Sequence, residues 1–256
     1  MLRFNHLRSS GPRILALLFC VAALTVAGRA QSGPPQGADP EAWNMLNSAR
    51  NSGQFFPANF SGATFEVVFN DHGQITTGRA EYKTTGRTEA QIEGLKDEAQ
   101  VWLDEQINSI LNHRRGGDFS KGDGKYPITF GQDDRSPAGR QLDLNDGMKS
   151  SYRIRNNQVA EVDRTMGGEH FTISILETTP LPGGKVVPRH FSVSYFDAKS
   201  GALKRTETFS DEYAKVGEVW FPASRRMVRA ENGRVITRVI EFRNPKISLA
   251  SEQAAR

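Results

Sequence analysis

Cysteine is nearly absent from this sequence, which has one, Cys20, among 256 residues. Cys20 lies in an apolar run at 14–26, and we expect this run to be removed as part of a secretory signal. The remaining chain would then have no disulfide, no zinc site with Cys ligands and no Cys nucleophile. We therefore expect the fold to depend on an apolar core and on backbone hydrogen bonds.

A segment long enough to span a membrane is missing as well. The run at 14–26 has 13 residues, whereas a helix that crosses a bilayer needs about 20. Arginines before the run and small residues after it are typical of a signal that is cleaved after Ala30. We expect a signal peptide at 1–30, a flexible Gly- and Pro-rich linker at 31–39, and export of a soluble protein to the periplasm or the exterior. The alternative is an uncleaved membrane anchor.

Once the leader is set aside, the chain has no excess of charge of either sign. Residues 1–30 contain four arginines and no acidic residue, so the other 226 residues keep 29 basic and 29 acidic side chains. Binding to a phosphate backbone needs a surplus of Lys and Arg on one surface. We therefore expect no nucleic-acid partner.

Sequence motifs of common enzymes are not found either. The chain has no G-x-S-x-G, P-loop, G-x-G-x-x-G or H-E-x-x-H motif, which are patterns that position a nucleophile, a phosphate, a dinucleotide and a catalytic zinc ion. The histidines after the leader have no metal-binding spacing, and residues 143–147 fit a calcium loop poorly. We expect no cofactor and no metal, we name no catalytic residue, and we favour a binding protein over an enzyme.

Most of the sequence after residue 60 has the alternating pattern of β-strands. Apolar and polar residues alternate at 65–69 and 171–175, and turn-forming pairs such as Asn156-Asn157 and Asn232-Gly233 separate such segments. Consecutive hairpins predict an antiparallel sheet with one packed face. A sheet this long has to twist and curl.

Two segments have helical features instead. Asp39-Pro40 begins a predicted helix that runs to Arg50, and residues 97–113 carry an apolar stripe with helical spacing. We predict a mainly antiparallel β fold with one or two helices, an α+β class, in a single domain at 40–249. In this domain the long amphipathic helix covers a strongly curved sheet or half-barrel. A disordered tail is predicted at 250–256.

The end of the second helix is the strongest candidate for a binding site. Cations at His113-Arg114-Arg115 complement the helix dipole, yet an Arg side chain also offers a planar fork of donors to a carboxylate or an anionic head group. The irregular segment 116–139 lies beside them, and long loops are often functional. The apolar stripe of the helix fits both core packing and the lining of a ligand cavity. The candidate ligand-binding residues are therefore Trp102, Ile107, Ile110, Leu111, His113 and Arg114.

Short motifs spread over the chain resemble those of a family of unknown function, DUF3386. They are Trp102 followed by NHR at 112–114, YRIR at 152–155 with VDR at 162–164 behind it, and GEVWFP at 217–222. The resemblance extends over 39–249. The family has no established activity or site residues, so this resemblance implies no site.

The order of the elements is similar to that of a second group, the LolA-like periplasmic lipoprotein carriers. A helix, a curved antiparallel sheet and a late G-x-x-W-F-P motif before a hairpin carry this resemblance. It implies a half-barrel that binds acyl chains or other apolar ligands.

We therefore expect an exported protein that binds or carries an apolar or lipid-like ligand in a half-barrel cavity. The cavity would have a volume of about 300 Å³ or more and would be lined by Trp102, Ile107, Ile110 and aromatic residues of the sheet. Two alternatives remain open. One is an uncharacterised enzyme with a site near His113. The other is a cell-envelope interaction or scaffold protein without a small-molecule ligand, which would hold an envelope partner through exposed sheet or through the arginines of two late strands, Arg225, Arg226, Arg229, Arg234 and Arg238.

Overall fold

The computed structural model of the chain describes residues 33–95 and 97–250. The predicted signal peptide at 1–30, with Cys20, and residues 251–256 of the predicted tail lie outside the described residues. Within the two described ranges, no helix is both long enough and apolar enough to cross a bilayer.

The described residues form two α-helices, three short 3-10 helices and twelve β-strands. Helix α1 spans Pro40–Asn51 and helix α2 spans Asp97–Asn112. The 3-10 helices span Phe119–Lys121, Asp123–Lys125 and Pro182–Gly184. The strands are β1 (Phe60–Asp71), β2 (Gln74–Lys83), β3 (Ala90–Ile92), β4 (Ile128–Phe130), β5 (Arg140–Leu144), β6 (Ser151–Arg155), β7 (Gln158–Met166), β8 (Glu169–Leu181), β9 (Lys185–Asp197), β10 (Leu203–Val216), β11 (Val219–Glu231) and β12 (Arg234–Leu249).

These strands join one antiparallel sheet in the order β3-β2-β1-β12-β11-β10-β9-β8-β7-β6-β5-β4. Strands that follow one another in the chain pair as neighbours from β1 to β3 and from β4 to β12, and the pairing of β1 with β12 links the two runs. The sheet is curved. It is also unclosed, because the strands at its two ends, β3 and β4, do not pair with each other in the described part of the chain. The predicted mainly antiparallel fold with two helices is confirmed.

The turn residues explain why the hairpins form where the sequence predicts them. Asn156 and Asn157 have φ angles of 52° and 57°, and Asn232 and Gly233 have φ angles of 49° and 72°. Two consecutive residues with positive φ form the two-residue turn that matches the twist of paired strands. The short predicted turns after Arg155 and Glu231 are therefore confirmed.

Helix α1 begins at its predicted capping residue. The side chain of Asp39 accepts hydrogen bonds from two N–H groups of the first turn, at 2.8 and 3.2 Å, and Pro40 stands where a missing N–H costs nothing. Trp43 and Leu46 are buried in a core with residues of β4, β5 and β6. The helix therefore packs on the end of the sheet that includes β4.

The segment at 116–139 is more regular than its composition indicated. The ring of Phe119 meets the ring of Trp43 edge-on, with 4.9 Å between their centroids. The indole N–H of Trp43 donates to the carbonyl of Gly124 at 2.9 Å. Two 3-10 helices and β4 lie in this segment, so much of it belongs to the α1 core.

Helix α2 buries its predicted apolar stripe against a different part of the sheet. Its buried residues share one core with residues of β1, β2 and β9 to β12, and the ring of Trp102 stacks on Phe69 of β1 with 5.7 Å between centroids. Asp104 accepts a hydrogen bond from the backbone of Ala90 in β3 at 2.7 Å. The helix packs on this part of the sheet, and the prediction that it covers the curved sheet as a whole is not confirmed.

Both helices lie on the same face of the sheet. Tyr152 stands beside Val162 in the strand register, Val162 beside Ile173, and Ile173 beside Val193. Residues that face each other across a ladder point to the same side. Tyr152 belongs to the α1 core and Val193 to the α2 core, so one face of the sheet carries both cores, and we call it the inner face.

Candidate functional site

The six predicted ligand-binding residues fall into a buried apolar group and a polar helix end. Trp102, Ile107, Ile110 and Leu111 expose at most 7% of their surface, because they pack in the α2 core. Two cavities, of about 420 and 330 Å³, lie along β1 and β2 and have Thr64 in both walls. Neither of these two cavities is lined by any of the six residues. Contact between a ligand and the apolar residues of α2 stays a prediction.

Apolar side chains between the two cores are only half covered. Phe171 and Ile173 on β8 and Phe191 and Tyr195 on β9 are half-buried and pack against the α2 core. Phe191 stacks on buried Phe209 of β10 with 4.8 Å between ring centroids. We call the four half-buried residues of β8 and β9 the middle strip. This strip is an apolar surface of the inner face that still reaches solvent.

Arg114, the second residue after α2, is a buried cation with unmet donors. It exposes 4% of its surface, and its guanidinium carbon lies 5.0 Å from the ring centroid of Tyr213 on β10. Its Nε and Nη2 atoms are buried and find no hydrogen-bond partner among the described residues. Its backbone carbonyl accepts a hydrogen bond from Phe56 at 2.7 Å, which fixes the chain at this point. Leaving buried donors unpaired costs free energy, and burial lowers the pKa of Arg114, against the opposing effects of Tyr213 and Asp211.

His113 is exposed, although protein surrounds it on several sides. Desolvation, followed by the positive charges of Arg225 and Arg164, lowers the pKa of its ring. Arg225 lies on β11 and Arg164 on β7, and both side chains belong to the inner face. The positive charges that act on His113 therefore come from residues of the inner face.

Arg164 brings another cation to this space. It stands beside Phe171 in the strand register, so its side chain lies on the same face as the middle strip. Its Nη2 donates to the hydroxyl of Tyr152 and, at 3.3 Å, to Oδ1 of Asp123. The Tyr152 hydroxyl donates in turn to Oδ2 of Asp123 at 2.7 Å, and burial together with Asp123 raises the pKa of Tyr152. Nε of Arg164 is buried and has no hydrogen-bond partner in the described part of the chain.

Arg164 was not named from the sequence as a candidate site residue. The available signal was its spacing of two from Val162, because alternate residues of a strand share a face. Val162 packs against the α1 core. An arginine on that face has to be paired or functional.

A buried ion pair lies on the inner face beneath α2. Arg225 donates from Nε to Oδ1 of Asp211 at 2.8 Å and from Nη2 to Oδ2 at 2.6 Å, and its Nη1 donates to Gln106 of α2 at 3.1 Å. The guanidinium carbon lies 5.0 Å from the ring centroid of Phe209. Burial tends to lower the pKa of Arg225, but Asp211 outweighs it and the pKa is raised. Arg225 therefore stays charged in an apolar setting.

The arginines of β11 and β12 do not form the exposed surface on which the scaffold alternative relied. Arg225 is buried, and Arg229 and Arg238 are half-buried and pair with carboxylates of neighbouring strands at 2.7 and 2.9 Å. Arg226 and Arg234 are the members of this set that are exposed. The scaffold alternative therefore stays open, with Arg226 and Arg234 as its exposed arginines.

Among residues 33–95 and 97–250, no group of three or more His, Cys, Asp or Glu side chains is placed to hold a metal ion. His170 instead contacts both carboxylate oxygens of Asp163 at 2.8 Å. His190 contacts Glu177 at 2.6 Å. Each of these two histidines thus pairs with a single carboxylate on a neighbouring strand.

Comparison with known proteins identifies a family. The family described as "Protein of unknown function (DUF3386)" matches residues 38–247. This match confirms the family that the short motifs indicated. No curated protein matches the sequence.

Three solved structures illustrate what the fold is similar to. An outer membrane lipoprotein-sorting protein domain from Vibrio parahaemolyticus has 8% identity and a TM-score of 0.38, with 83% of this chain and 94% of the other covered. A DUF1329 family protein from Desulfovibrio piger has 9% identity and a TM-score of 0.30, with 84% and 95% covered. A LolA superfamily protein from Nitrosomonas europaea has 9% identity and a TM-score of 0.26, with 83% and 96% covered. The last belongs to the group that the sequence resembles.

Proposed function

The chain belongs to the DUF3386 family, and from this starting point we propose that it binds a lipid-like, amphiphilic ligand on the inner face of its sheet. The observation that carries the proposal is the middle strip, where four large apolar side chains remain half-buried between two packed cores. These side chains lie on two paired strands and reach solvent together, and a contiguous apolar surface of this kind marks a site for a ligand or a partner. The proposal places the apolar part of the ligand on this strip and its polar end near His113 and Arg114.

The energetics favour a ligand with a hydrocarbon chain. Burying a methylene group contributes about 0.8 kcal/mol, so a chain of about ten carbons supplies several kcal/mol even when half of it is covered. The protein contributes a surface that is already ordered, which lowers the cost of binding. Phe191, stacked on Phe209, and Tyr195, whose ring lies 3.6 Å from the guanidinium carbon of Arg205, are held in place before a ligand arrives.

Helix α2 has a defined part in this proposal. Trp102, Ile107, Ile110 and Leu111 hold the helix on the sheet, so that α2 covers the inner face next to the strip and borders the bound chain. Its C-terminal end presents the polar residues. The predicted signal peptide at 1–30 would place the protein in the periplasm or the exterior, where it would carry the ligand in soluble form.

Native mass spectrometry of the full chain, purified from the compartment in which its host keeps it, tests this function directly. We expect a lipid-like molecule that leaves the protein on organic extraction and is identified in the extract. A protein that is free of such a molecule, and that binds none of the neutral probe N-phenyl-1-naphthylamine, would contradict the proposal and favour a scaffold role.

Two serine variants of β8 locate the binding surface. Ile173→Ser places a hydroxyl in the middle strip, and we expect it to weaken binding of the probe about tenfold, because one fewer aliphatic side chain is covered. Leu176→Ser alters a residue of the same strand that is 61% exposed, and binding should not change. Equal effects of both variants would place the probe elsewhere.

A further inference from the structure

We propose that the polar end of the ligand is a singly charged oxyanion, either a carboxylate or a phosphodiester, and that Arg114 binds it at the C-terminal end of α2. This inference rests on the proposed function and names the class of ligand. It starts from a cation whose partners are missing from the described part of the chain.

Arg114 has the chemistry of an incomplete anion site. The residue exposes 4% of its surface, and its Nε and Nη2 atoms are buried and donate to nothing in the described residues. Arginine does not lose its proton in proteins, so the charge persists. No carboxylate of residues 33–95 and 97–250 pairs with it, since Asp211, which acts on its pKa, is engaged in both oxygens by Arg225.

The neighbouring charges determine how many negative charges the ligand should carry. Arg225 is balanced by Asp211, and Arg164 is balanced by Asp123. Arg114 is therefore left with one uncompensated positive charge, which a ligand with one negative charge neutralises. A planar guanidinium fork binds two oxygens of a carboxylate or phosphate group at once.

The surroundings of Arg114 support access and orientation. The ring of Tyr213 lies against its guanidinium at 5.0 Å, which limits rotation of the fork. His113, the preceding residue, is exposed, so Arg114 lies one residue away from solvent along the chain. The free Nε of Arg164 offers one more donor on the side of the middle strip.

Four small probes separate the oxyanion from the chain. Dodecanoate has a carboxylate and a chain, dihexanoyl-phosphatidylglycerol has a phosphodiester and chains, dodecanol has a chain without charge, and acetate has a charge without a long chain. Each is measured by displacement of the neutral probe N-phenyl-1-naphthylamine from the full chain. We expect dodecanoate to bind at least about tenfold more tightly than dodecanol, the effect of one charged hydrogen-bond interaction.

Variants of two adjacent arginines assign the effect to one residue. Arg114→Gln should remove the preference for dodecanoate over dodecanol, and Arg114→Lys should retain part of it. Arg115→Gln, at an exposed position directly beside it, should change neither. If a variant does not fold, the comparison of dodecanoate with dodecanol on the unaltered chain still tests whether a charged head group increases the affinity.

The possible outcomes separate this inference from the proposed function. The oxyanion site is overturned, with lipid binding left in place, if neither dodecanoate nor dihexanoyl-phosphatidylglycerol binds more tightly than dodecanol, or if the preference survives Arg114→Gln. Failure of all probes to bind overturns both. Tight binding of phosphatidylglycerol but not of dodecanoate supports the phosphodiester form, and acetate binding as tight as that of dodecanoate overturns the role of the chain.

Discussion

Replacing Asp211 with Asn should destabilise the fold by an amount that reveals how the inner face is held together. The carboxylate receives two hydrogen bonds from Arg225, at 2.8 and 2.6 Å, and the two side chains expose 2% and 4% of their surface. Asn carries no charge and cannot neutralise the guanidinium of Arg225. The guanidinium would then remain buried next to the rings of Phe191 and Phe209, with the neutral side chain of Gln106 as a hydrogen-bond partner. Breaking a buried ion pair on one side costs about 3–5 kcal/mol, and we expect a loss of that size in the free energy of unfolding.

Urea denaturation, followed by circular dichroism, measures this loss. The double variant Asp211→Leu with Arg225→Met should recover most of it, since two apolar side chains of similar size leave no charge to desolvate. The exposed pair of Arg243 and Glu241, with side chains 57% and 41% exposed, is the matched control, and Arg243→Gln should cost less than about 1 kcal/mol. A loss of less than about 1 kcal/mol for Asp211→Asn, or a double variant as unstable as the single ones, would refute the reasoning.

Three further predictions concern α2 and the residues that follow it. Asn108→Ala should lower the free energy of unfolding by about 1–3 kcal/mol, measured by urea denaturation, because the Asn108 side chain bonds to both the N–H and the carbonyl of buried Thr88. Arg114→Met should leave stability unchanged or raise it by about 1–2 kcal/mol in the same assay, because a buried cation with unmet donors is removed. Acidification should destabilise the unaltered chain more than His113→Gln, as measured by thermal unfolding across a pH series. The folded state holds the pKa of His113 below its ordinary value of 6.5, so the unfolded chain binds more protons as the pH falls below that value, and the stability present at higher pH is lost.

Each of these predictions has a result that contradicts it. An unchanged midpoint for Asn108→Ala would mean that water replaces the two hydrogen bonds of Thr88. A large loss of stability in Arg114→Met would mean that Arg114 is mainly a structural cation. Parallel pH profiles for the unaltered chain and His113→Gln would show that the folded state does not lower the pKa of His113.

Much of the fold follows from local patterns in the sequence. Asp39-Pro40 fixed the start of α1, the positive-φ pairs fixed two hairpins, and strand alternation gave the antiparallel sheet. The pairing of β1 with β12 was not predictable in this way, because it joins residues that are far apart in the chain and no turn between them sets the register. The packing of Phe119 on Trp43 was missed for the same reason, since a Gly-rich composition says little about long-range contacts.

The candidate site was only partly predictable. The cluster of cations at the end of α2 is visible in the sequence, but the unmet donors of Arg114 depend on what the sheet places around it. Arg225 lies on the same face of its strand as Met227, which is buried. Strand alternation alone could therefore have predicted that Arg225 lies in the core. Its partner Asp211 could not be identified, because the register between β10 and β11 contains an irregularity at Glu212.

The packing of α2 also limits where a ligand can lie. If a ligand entered beneath the helix, the side chains of Trp102, Leu103, Ile107, Ile110 and Leu111 would lose their burial. At about 1.5–3 kcal/mol for each large apolar side chain, this exposure would cost about 8–15 kcal/mol. A micromolar affinity corresponds to a binding free energy of about 8 kcal/mol. Binding of such a ligand would therefore not offset the free energy lost when α2 moves off the sheet. A ligand of the proposed kind would therefore lie beside α2, over the middle strip, where the apolar surface is half open before any element moves.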